Sequence, residues 1–297
     1  MNEVPICPVC GSSISTTYLT PADHALSKEV FTLRKCTTCS LVVTSPRPSE
    51  DELPRYYRFN DYISHSGKTT SGFLTILYNI ARSFTLKWKR AIIKREFTTG
   101  RILDVGCGTG EFLNIMRQSG WEIEGIEPTA VARKKAEGLL NQSVYHSIKD
   151  LPTNRFDVIT LWHVLEHVYD LNNTLEQLKK RLNPGGLLLI AVPNHQAFDA
   201  QKYEADWAGY DVPRHLWHFN TTSMTALLKR NNLTLTRILP MKLDAYYVSL
   251  LSEQYISPDK PLKNYLNAFC TGILSNLKAR KKLNYSSLIF MAKVNQR

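Results

Sequence analysis

Seven short runs rich in Ile, Leu and Val mark the last two thirds of the chain, at 101–105, 121–127, 144–146, 155–163, 187–192, 234–239 and 287–294. Each reads as a strand, the third being the weakest. Between them the apolar positions switch to helical spacing at 129–140, 171–182 and 222–231, the last with Thr222 and Ser223 as start signals. A helix is also expected to open at 164–168. Alternating strands and helices predict an α/β fold with a Rossmann-like, mostly parallel sheet and ligands at the carboxyl ends of its strands.

Three stretches depart from that rhythm. Residues 72–98 read as one long helix with an apolar stripe of Leu74, Leu77, Ile80, Ala81, Phe84, Trp88, Ala91 and Ile92. Arg82, Lys87, Lys89, Arg90, Lys94 and Arg95 give it a basic side, expected in water; a helix lying on a membrane surface is the other reading. Residues 241–284 read as an insertion with Tyr246, Tyr247 and Tyr255 and a helix over 262–282. Lys278, Arg280, Lys281 and Lys282 bunch at the end of that helix, favourably for its dipole. Residues 1–48 form a small separate unit, 49–98 a linker and long helix, and 99–297 the sheet domain. Tyr56, Tyr57, Phe59 and Tyr62 in the linker are expected to pack the units together rather than close over a ligand.

The first strong strand runs into Asp104-Val105-Gly106-Cys107-Gly108-Thr109-Gly110-Glu111. Glycines at alternate positions let the backbone turn sharply and approach a ligand, and the following helix aims free N–H groups over the turn. A dinucleotide fingerprint, Gly-x-Gly-x-x-Gly, would need glycine at 111, where Glu111 stands. An acidic residue about 20 positions on is expected to hold ribose hydroxyls. Glu127 ends the second strand, 21 residues after Gly106.

Asp104, Gly106, Gly108 and Gly110 resemble the first motif of the class I S-adenosylmethionine (SAM) methyltransferases. The strand at 155–163 and the turn Asn183-Pro184-Gly185-Gly186 resemble later motifs of that family. The resemblance implies a seven-stranded sheet whose last strand is antiparallel, with helices before the first motif covering the SAM pocket. It also implies SAM as cofactor, bound by Asp104, Gly106, Cys107, Gly108, Gly110, Glu127, Pro128, Leu161, Trp162 and His163. Asp150, which follows the third strand, is either a contact to adenine or a turn residue.

Four of the six cysteines form two Cys-x-x-Cys pairs, Cys7 with Cys10 and Cys36 with Cys39, and 25 residues separate the pairs. Four thiolates suit a tetrahedral zinc ion and leave no open position for chemistry, so the metal would be structural. Gly11 frees the first knuckle to curl back, and Val30 to Leu33 and Leu41 to Thr44 would be the arms of a hairpin. The unit resembles a zinc ribbon and is too small for a core of its own, so metal would supply its folding energy. Redox pairs or idle thiols are the alternatives.

His163, Glu166 and His167 would share one face of a helix. His-x-x-Glu-His alone is an inverted zinc-peptidase signature, but a peptidase would carry it mid-helix and leave the glycine turn unexplained. Some similar methyltransferases bind a divalent ion through Glu-x-x-Glu-His here, and His163 stands where the first Glu would be. The preferred reading is a set of polar groups orienting the loop. The stretch from Trp207 to Phe219 is rich in His, Trp and Tyr, as functional loops often are. It resembles a loop of small-molecule methyltransferases, among them nucleotide-sugar enzymes with a four-cysteine zinc unit. The loop places a His near the methyl acceptor. His215 matches it best; His218, His163 and Tyr210 are the assisting candidates, and aromatic packing is the plainer reading.

The net charge of +11 favours anionic partners, whether nucleotide-linked substrates, nucleic acid or a membrane surface; a solvated basic face would explain it equally. The first ten residues lack a signal-peptide pattern, and no apolar run approaches the ~18 residues of a membrane span, which predicts a cytoplasmic protein. The expected function is methyl transfer from SAM to a small molecule, a nucleotide-linked sugar or a quinol-like compound. RNA methylation is the alternative, but Leu161-Trp162-His163-Val164 lacks the Asn/Asp-Pro-Pro-aromatic motif of base-amino methyltransferases. A non-catalytic SAM-binding protein is the third reading, and a dehydrogenase the last.

Overall fold

The computed structural model describes residues 1–57 and 73–294, and for 73–81 the backbone alone. Phe59, Tyr62 and the side chains of Leu74, Leu77, Ile80 and Ala81 lie outside the described residues. The chain forms two compact units from interleaved stretches. One comprises Arg58–Trp162 and Leu175–Leu189; the other Met1–Tyr57, His163–Thr174 and Ile190–Asn295.

In the first unit, α1 (Phe73–Lys94) is followed by β4 (Arg101–Val105), α2 (Glu111–Gln118), β5 (Glu122–Ile126), α3 (Ala130–Leu140) and β6 (Phe156–Trp162). β4 lies between β5 and β6 and is parallel to both. Ile102, Leu103, Val158, Ile159 and Leu161 are fully buried, as befits strands covered on both faces. The expected strand at 144–146 is reduced to one bridge from Tyr145 to Ile126. Its Tyr145 N–H and carbonyl do bond Gly125 and Glu127. The carboxylate of Asp150 then takes the N–H and hydroxyl of Ser147 and turns the chain away.

Two expectations for the long helix change. Phe84 is 62% exposed and Ala91 is also exposed, while Ile92 and Ile93 are buried, so the stripe is rotated. Part of the basic side makes contacts instead of standing in water. Arg82 pairs with Glu111 at 2.8 Å, Arg90 donates to Ser119, and the Lys89 ammonium sits 4.3 Å from the Trp162 ring centre. Long basic side chains can cover apolar surface with their stems while the charge finds a partner.

The second unit opens with β1 (Thr16–Leu19), β2 (Leu33–Lys35) and β3 (Val42–Thr44), antiparallel in that order. The first hairpin arm therefore begins three residues later than expected; Val30 is exposed and makes only a bridge to Ala22. A fourth strand, β8 (Trp217–His218), comes from the loop expected to be irregular and pairs with β3. The core here joins both parts: Phe31, Leu33, Val42 and Tyr56 pack with Tyr203, Trp207, Tyr210 and Val212. Tyr56 is thus a packing residue, its hydroxyl donating to Glu29 at 2.6 Å.

This unit also holds α5 (Phe198–Tyr203), α6 (Thr221–Arg230), β9 (Leu233–Pro240), α7 (Asp244–Ile256), α8 (Pro261–Ala279) and β10 (Ser287–Val294). β10 is antiparallel to β9. Helix α6 is capped by Asn220, two residues before Thr222, and the expected signal Ser223 completes the capping box: Asn220 accepts from the Ser223 N–H while Ser223 accepts from the Asn220 N–H. Helix α7 was not legible in the insertion. Two elements run through both units, α4 (Leu171–Lys180) and β7 (Leu182–Pro193), whose start takes in the expected Pro-Gly-Gly turn with Gly185 at φ 77°. The sheet order is β5-β4-β6-β7 in the first unit and β7-β10-β9 in the second.

Candidate functional site

In the first unit the turn after β4 presents main-chain N–H groups at three glycines. Gly106, Gly108 and Gly110 hold φ of 70°, 55° and 81°, the region where an L side chain is strained. The N–H groups of Gly106 and Cys107 both bond the Ile126 carbonyl, at 2.7 and 2.9 Å. Gly108 donates to one oxygen of Glu127 at 2.9 Å, and Thr129 to the other at 2.8 Å. The carboxylate thus clamps the turn to the end of β5, and each oxygen keeps a lone pair for a further donor. Among the described residues a Cβ on Gly108 would meet nothing within 4 Å, so the turn presents its main chain to open space there. This is a cradle that fits the ribose and amino-acid end of SAM.

The other expected cofactor residues divide. Asp104 is buried; burial pushes its carboxyl up to about 7, against the hydrogen bond it accepts from Thr160 at 2.6 Å. It steadies the turn from beneath. Cys107 has its N–H, its carbonyl and its thiol engaged inside the turn: the carbonyl takes Gly110, and the thiol lies over Gly125, where burial pushes its pKa up. Pro128 is exposed and its carbonyl accepts from Arg133. Leu161 is wholly buried. Trp162 packs edge-on to Phe112, and its indole N–H has no partner among the described residues. Asp150 is the exposed turn residue described above.

In the second unit a polar cluster forms around a buried carboxylate. His163 has a φ of 58° and opens a single 3-10 turn, Leu165–His167, in place of the expected helix. That turn is held by the Leu216 N–H on the Glu166 carbonyl, at 2.8 Å. The imidazole of His163 spans two carboxylates, Nδ1 at 3.3 Å from Glu166 and Nε2 at 3.1 Å from Asp244. Burial opposes its charge, but these bonds outweigh it and raise the pKa to about 9. His163 is therefore a cation at neutral pH and not a base.

His215 is held differently, by a main-chain carbonyl. Its Nδ1 is 2.9 Å from the Gly209 carbonyl, which can only accept, so the proton sits on Nδ1. Nε2 is left as the basic nitrogen, 4.0 Å from an oxygen of Asp211. Asp211 is held by Arg214, whose guanidinium also grips the fully buried Asp23 at 2.8 Å and the Tyr56 carbonyl at 3.1 Å. Burial works against both carboxylates, yet Arg214 keeps each below the usual range. His167 stacks edge-on to His215 with ring centres 4.6 Å apart; burial first, and then repulsion between the two rings when both carry a proton, lower it to about 4.

His218 and Tyr210 do not join this chemistry. The Thr44 hydroxyl spends its one proton on the His215 carbonyl at 2.7 Å, so His218 Nε2 donates to Thr44 at 3.1 Å. His218 is a buried strap between β8 and β3, and Tyr210 is a core residue 1% exposed. Arg214, Asp211, Asp23 and Asp244 were missed as site residues. Asp211, Arg214 and His215 do carry a helical spacing in sequence, but nothing local marks Asp23 or Asp244.

Among the described residues two groups could hold a metal ion. The sulfurs of Cys7, Cys10, Cys36 and Cys39 all lie within 4.8 Å of one another, with Cys7 to Cys39 at 3.5 Å and Cys10 to Cys36 at 3.4 Å. A tetrahedral zinc–thiolate site spaces its sulfurs by about 3.8 Å. Each knuckle closes alike: Gly11 and Ser40 take left-handed φ values and return their N–H groups to Cys7 and Cys36 at 2.9 Å. The set fits zinc. The second group is Glu166, His167 and His215, within the same 4.8 Å limit; His163, with both nitrogens engaged, is not part of it.

A family model described as a methyltransferase domain matches residues 79–238. The chain is 37% identical over 107 residues to a ubiquinone biosynthesis O-methyltransferase of Actinobacillus pleuropneumoniae serotype 7 (strain AP76), covering 32% of this chain and 46% of that protein. A protein of the same name from Bradyrhizobium sp. (strain ORS 278) is 30% identical over 149 residues, 46% of this chain and 59% of its own. The chain thus spans about half the length of the curated relatives it matches. A solved structure of coclaurine N-methyltransferase bound to N-methylheliamine and SAH aligns with a TM-score of 0.51 at 15% identity, over 76% of this chain and 75% of that one, a likeness of fold.

Proposed function

The chain belongs to the methyltransferase domain family, and on that premise we propose that it transfers a methyl group from SAM to a hydroxyl of a small molecule. One observation carries the proposal: Glu127, clamped by Gly108 and Thr129 at the end of β5, beside a glycine turn open to a ligand. Glu127 accepts from the ribose hydroxyls, and the turn seats the rest of the cofactor. When bound, SAM supplies a sulfonium methyl already activated for transfer, so the protein's task is mostly alignment.

An oxygen acceptor must lose its proton as the methyl arrives. His215 Nε2 takes it, and the Asp211 carboxylate steadies the imidazolium so formed. The Gly209 carbonyl fixes the tautomer that makes this work. A quinol-like phenol is the favoured acceptor over a nucleotide-linked sugar, because the relatives named above are quinone-pathway O-methyltransferases. A phenol also ionises within reach of an imidazole base, as a sugar hydroxyl does not. The four-cysteine cluster takes a structural zinc ion, which joins the two knuckles.

Calorimetry with SAM, and with its demethylated product S-adenosylhomocysteine, tests the cofactor. Heat with both and none with NAD is expected; no heat with either overturns the reading. A panel of catechols and quinols, followed by S-adenosylhomocysteine formation, tests the acceptor. Elemental analysis should return one zinc per chain.

A further inference from the structure

Helix α8 is built inside out. Its buried residues are small or polar: Asn264, Ala268, Thr271, Gly272, Ser275 and Ala279. Its large apolar residues face water: Leu262 is 81% exposed, Leu266 68%, Phe269 59% and Leu277 48%, with Ile273 beside them. The spacing of these five is four, three, four and four residues, one continuous stripe along the helix. A helix of a globular protein normally turns such a stripe to the core.

The orientation is fixed by the buried side. A Cβ on Gly272 would come within 2.4 Å of the Tyr246 ring of α7, so the two helices approach as closely as glycine allows. Ser275 donates to the buried Asp199 at 2.6 Å, and Asn264 to the Ser257 carbonyl at 2.7 Å. Rotating the stripe inward would break these bonds and drive leucines into that contact.

Charge names the occupant. From 260 to 282 there are six basic residues, Lys260, Lys263, Lys278, Arg280, Lys281 and Lys282, and no Asp or Glu. We propose that this face docks on an anionic lipid bilayer. The helix lies in the interface, its apolar stripe among the acyl chains and its basic ends on headgroup phosphates. At 19 residues it is about 28 Å long, enough to lie flat across several lipids. No helix among the described residues is long and apolar enough to cross a membrane. At its carboxyl end Lys278 and Lys282, with Gln196, Gln201 and Asn284, line a cavity of about 230 Å³ suited to one such phosphate. A second copy is disfavoured, because its own basic residues would face these. The proposal is independent of the methyl acceptor.

Flotation of the full chain with vesicles tests it. Binding is expected to phosphatidylcholine–phosphatidylglycerol vesicles, much less to phosphatidylcholine alone, and it should weaken as salt is raised. Leu266→Glu with Phe269→Glu, both exposed positions, should lower the bound fraction about tenfold or more with an unchanged melting temperature. Lys278→Glu with Lys282→Glu should weaken binding to the anionic vesicles alone. The proposal is overturned if the folded protein binds neither vesicle, or if the Leu266–Phe269 variant binds as well as the parent. It is also overturned if ultracentrifugation finds a dimer that those substitutions abolish while vesicle binding is nil.

Discussion

Glu127 and Glu166 are both buried carboxylates next to the ends of strands, yet they are held in contrasting ways. Glu127 is gripped by main-chain N–H groups from the glycine turn and from Thr129. Glu166 is faced by the side chains of His163, His167 and His215, and its Oε2 has no partner among the described residues. Donors of the first kind are set by backbone shape over a few residues. Those of the second come from two separate segments, 163–167 and 215, and depend on every partner being in place. The first site should therefore tolerate distant change, and the second should not.

The severest test of that contrast is Arg214→Ala. It would leave the fully buried Asp23 and the partly exposed Asp211 without their cation, at a cost of about 3–5 kcal/mol in denaturant melts. Arg214→Lys should recover only part of this, since an ammonium cannot span Asp211, Asp23 and the Tyr56 carbonyl at once. SAM affinity of the folded fraction should be unchanged. A matching loss of SAM affinity would show that the two sites are not separable.

The two halves of the proposed chemistry should also separate in kinetics. His215→Ala is expected to lower kcat by roughly 10²–10⁴ while leaving SAM affinity within about twofold. Glu127→Gln should do the reverse first, weakening SAM roughly tenfold or more as a charged acceptor is lost. Calorimetry and initial rates on the same two variants decide it.

That separation mirrors what was legible in the sequence. The glycine turn, β5 and Glu127 could be read because three residue types at fixed spacing dictate one backbone shape. So could the cysteine knuckles, although Ser40 does in the second what Gly11 does in the first. The histidine cluster was only half legible. His215 could be singled out, but Asp244 sits on a helix whose polar and apolar positions show little periodicity, and Asp23 precedes its partner Arg214 by 191 residues in the chain. His218 and Tyr210 looked chemical because aromatic and polar types were crowded together; β8 pairing with β3 buries His218, and Tyr210 packs in the core with Trp207 and Val212. Helix α8 was expected as a helix and is one, but its stripe of helical period faces water instead of the core.

Within the cluster, pH should pull two neighbours in opposite directions. An unperturbed histidine titrates near 6.5. His163 is raised to about 9, so the stability it contributes is fully present below about 6.5 and is lost as pH rises through about 9. His167 is lowered to about 4, so its contribution is intact above about 6.5 and is lost as pH falls towards 4. Thermal melts across this range should show a dome. His163→Gln should flatten its alkaline side and His167→Gln its acid side. A dome unchanged in both variants would remove the ion-pair account of the cluster.

The smallest expected effect falls on the residue closest in appearance to a ligand contact. Asp150 stands where a relative's adenine contact would be, but its carboxylate already takes the N–H and hydroxyl of Ser147 and lies on an exposed turn. Asp150→Ala should remove one turn-closing interaction, worth no more than about 1 kcal/mol, and leave SAM affinity within about twofold. If affinity instead falls tenfold, the carboxylate must leave Ser147 to reach the cofactor. The main-chain cradle would then be only part of the binding site, and the contrast between backbone-held and side-chain-held regions would have to be redrawn to include a side chain that moves.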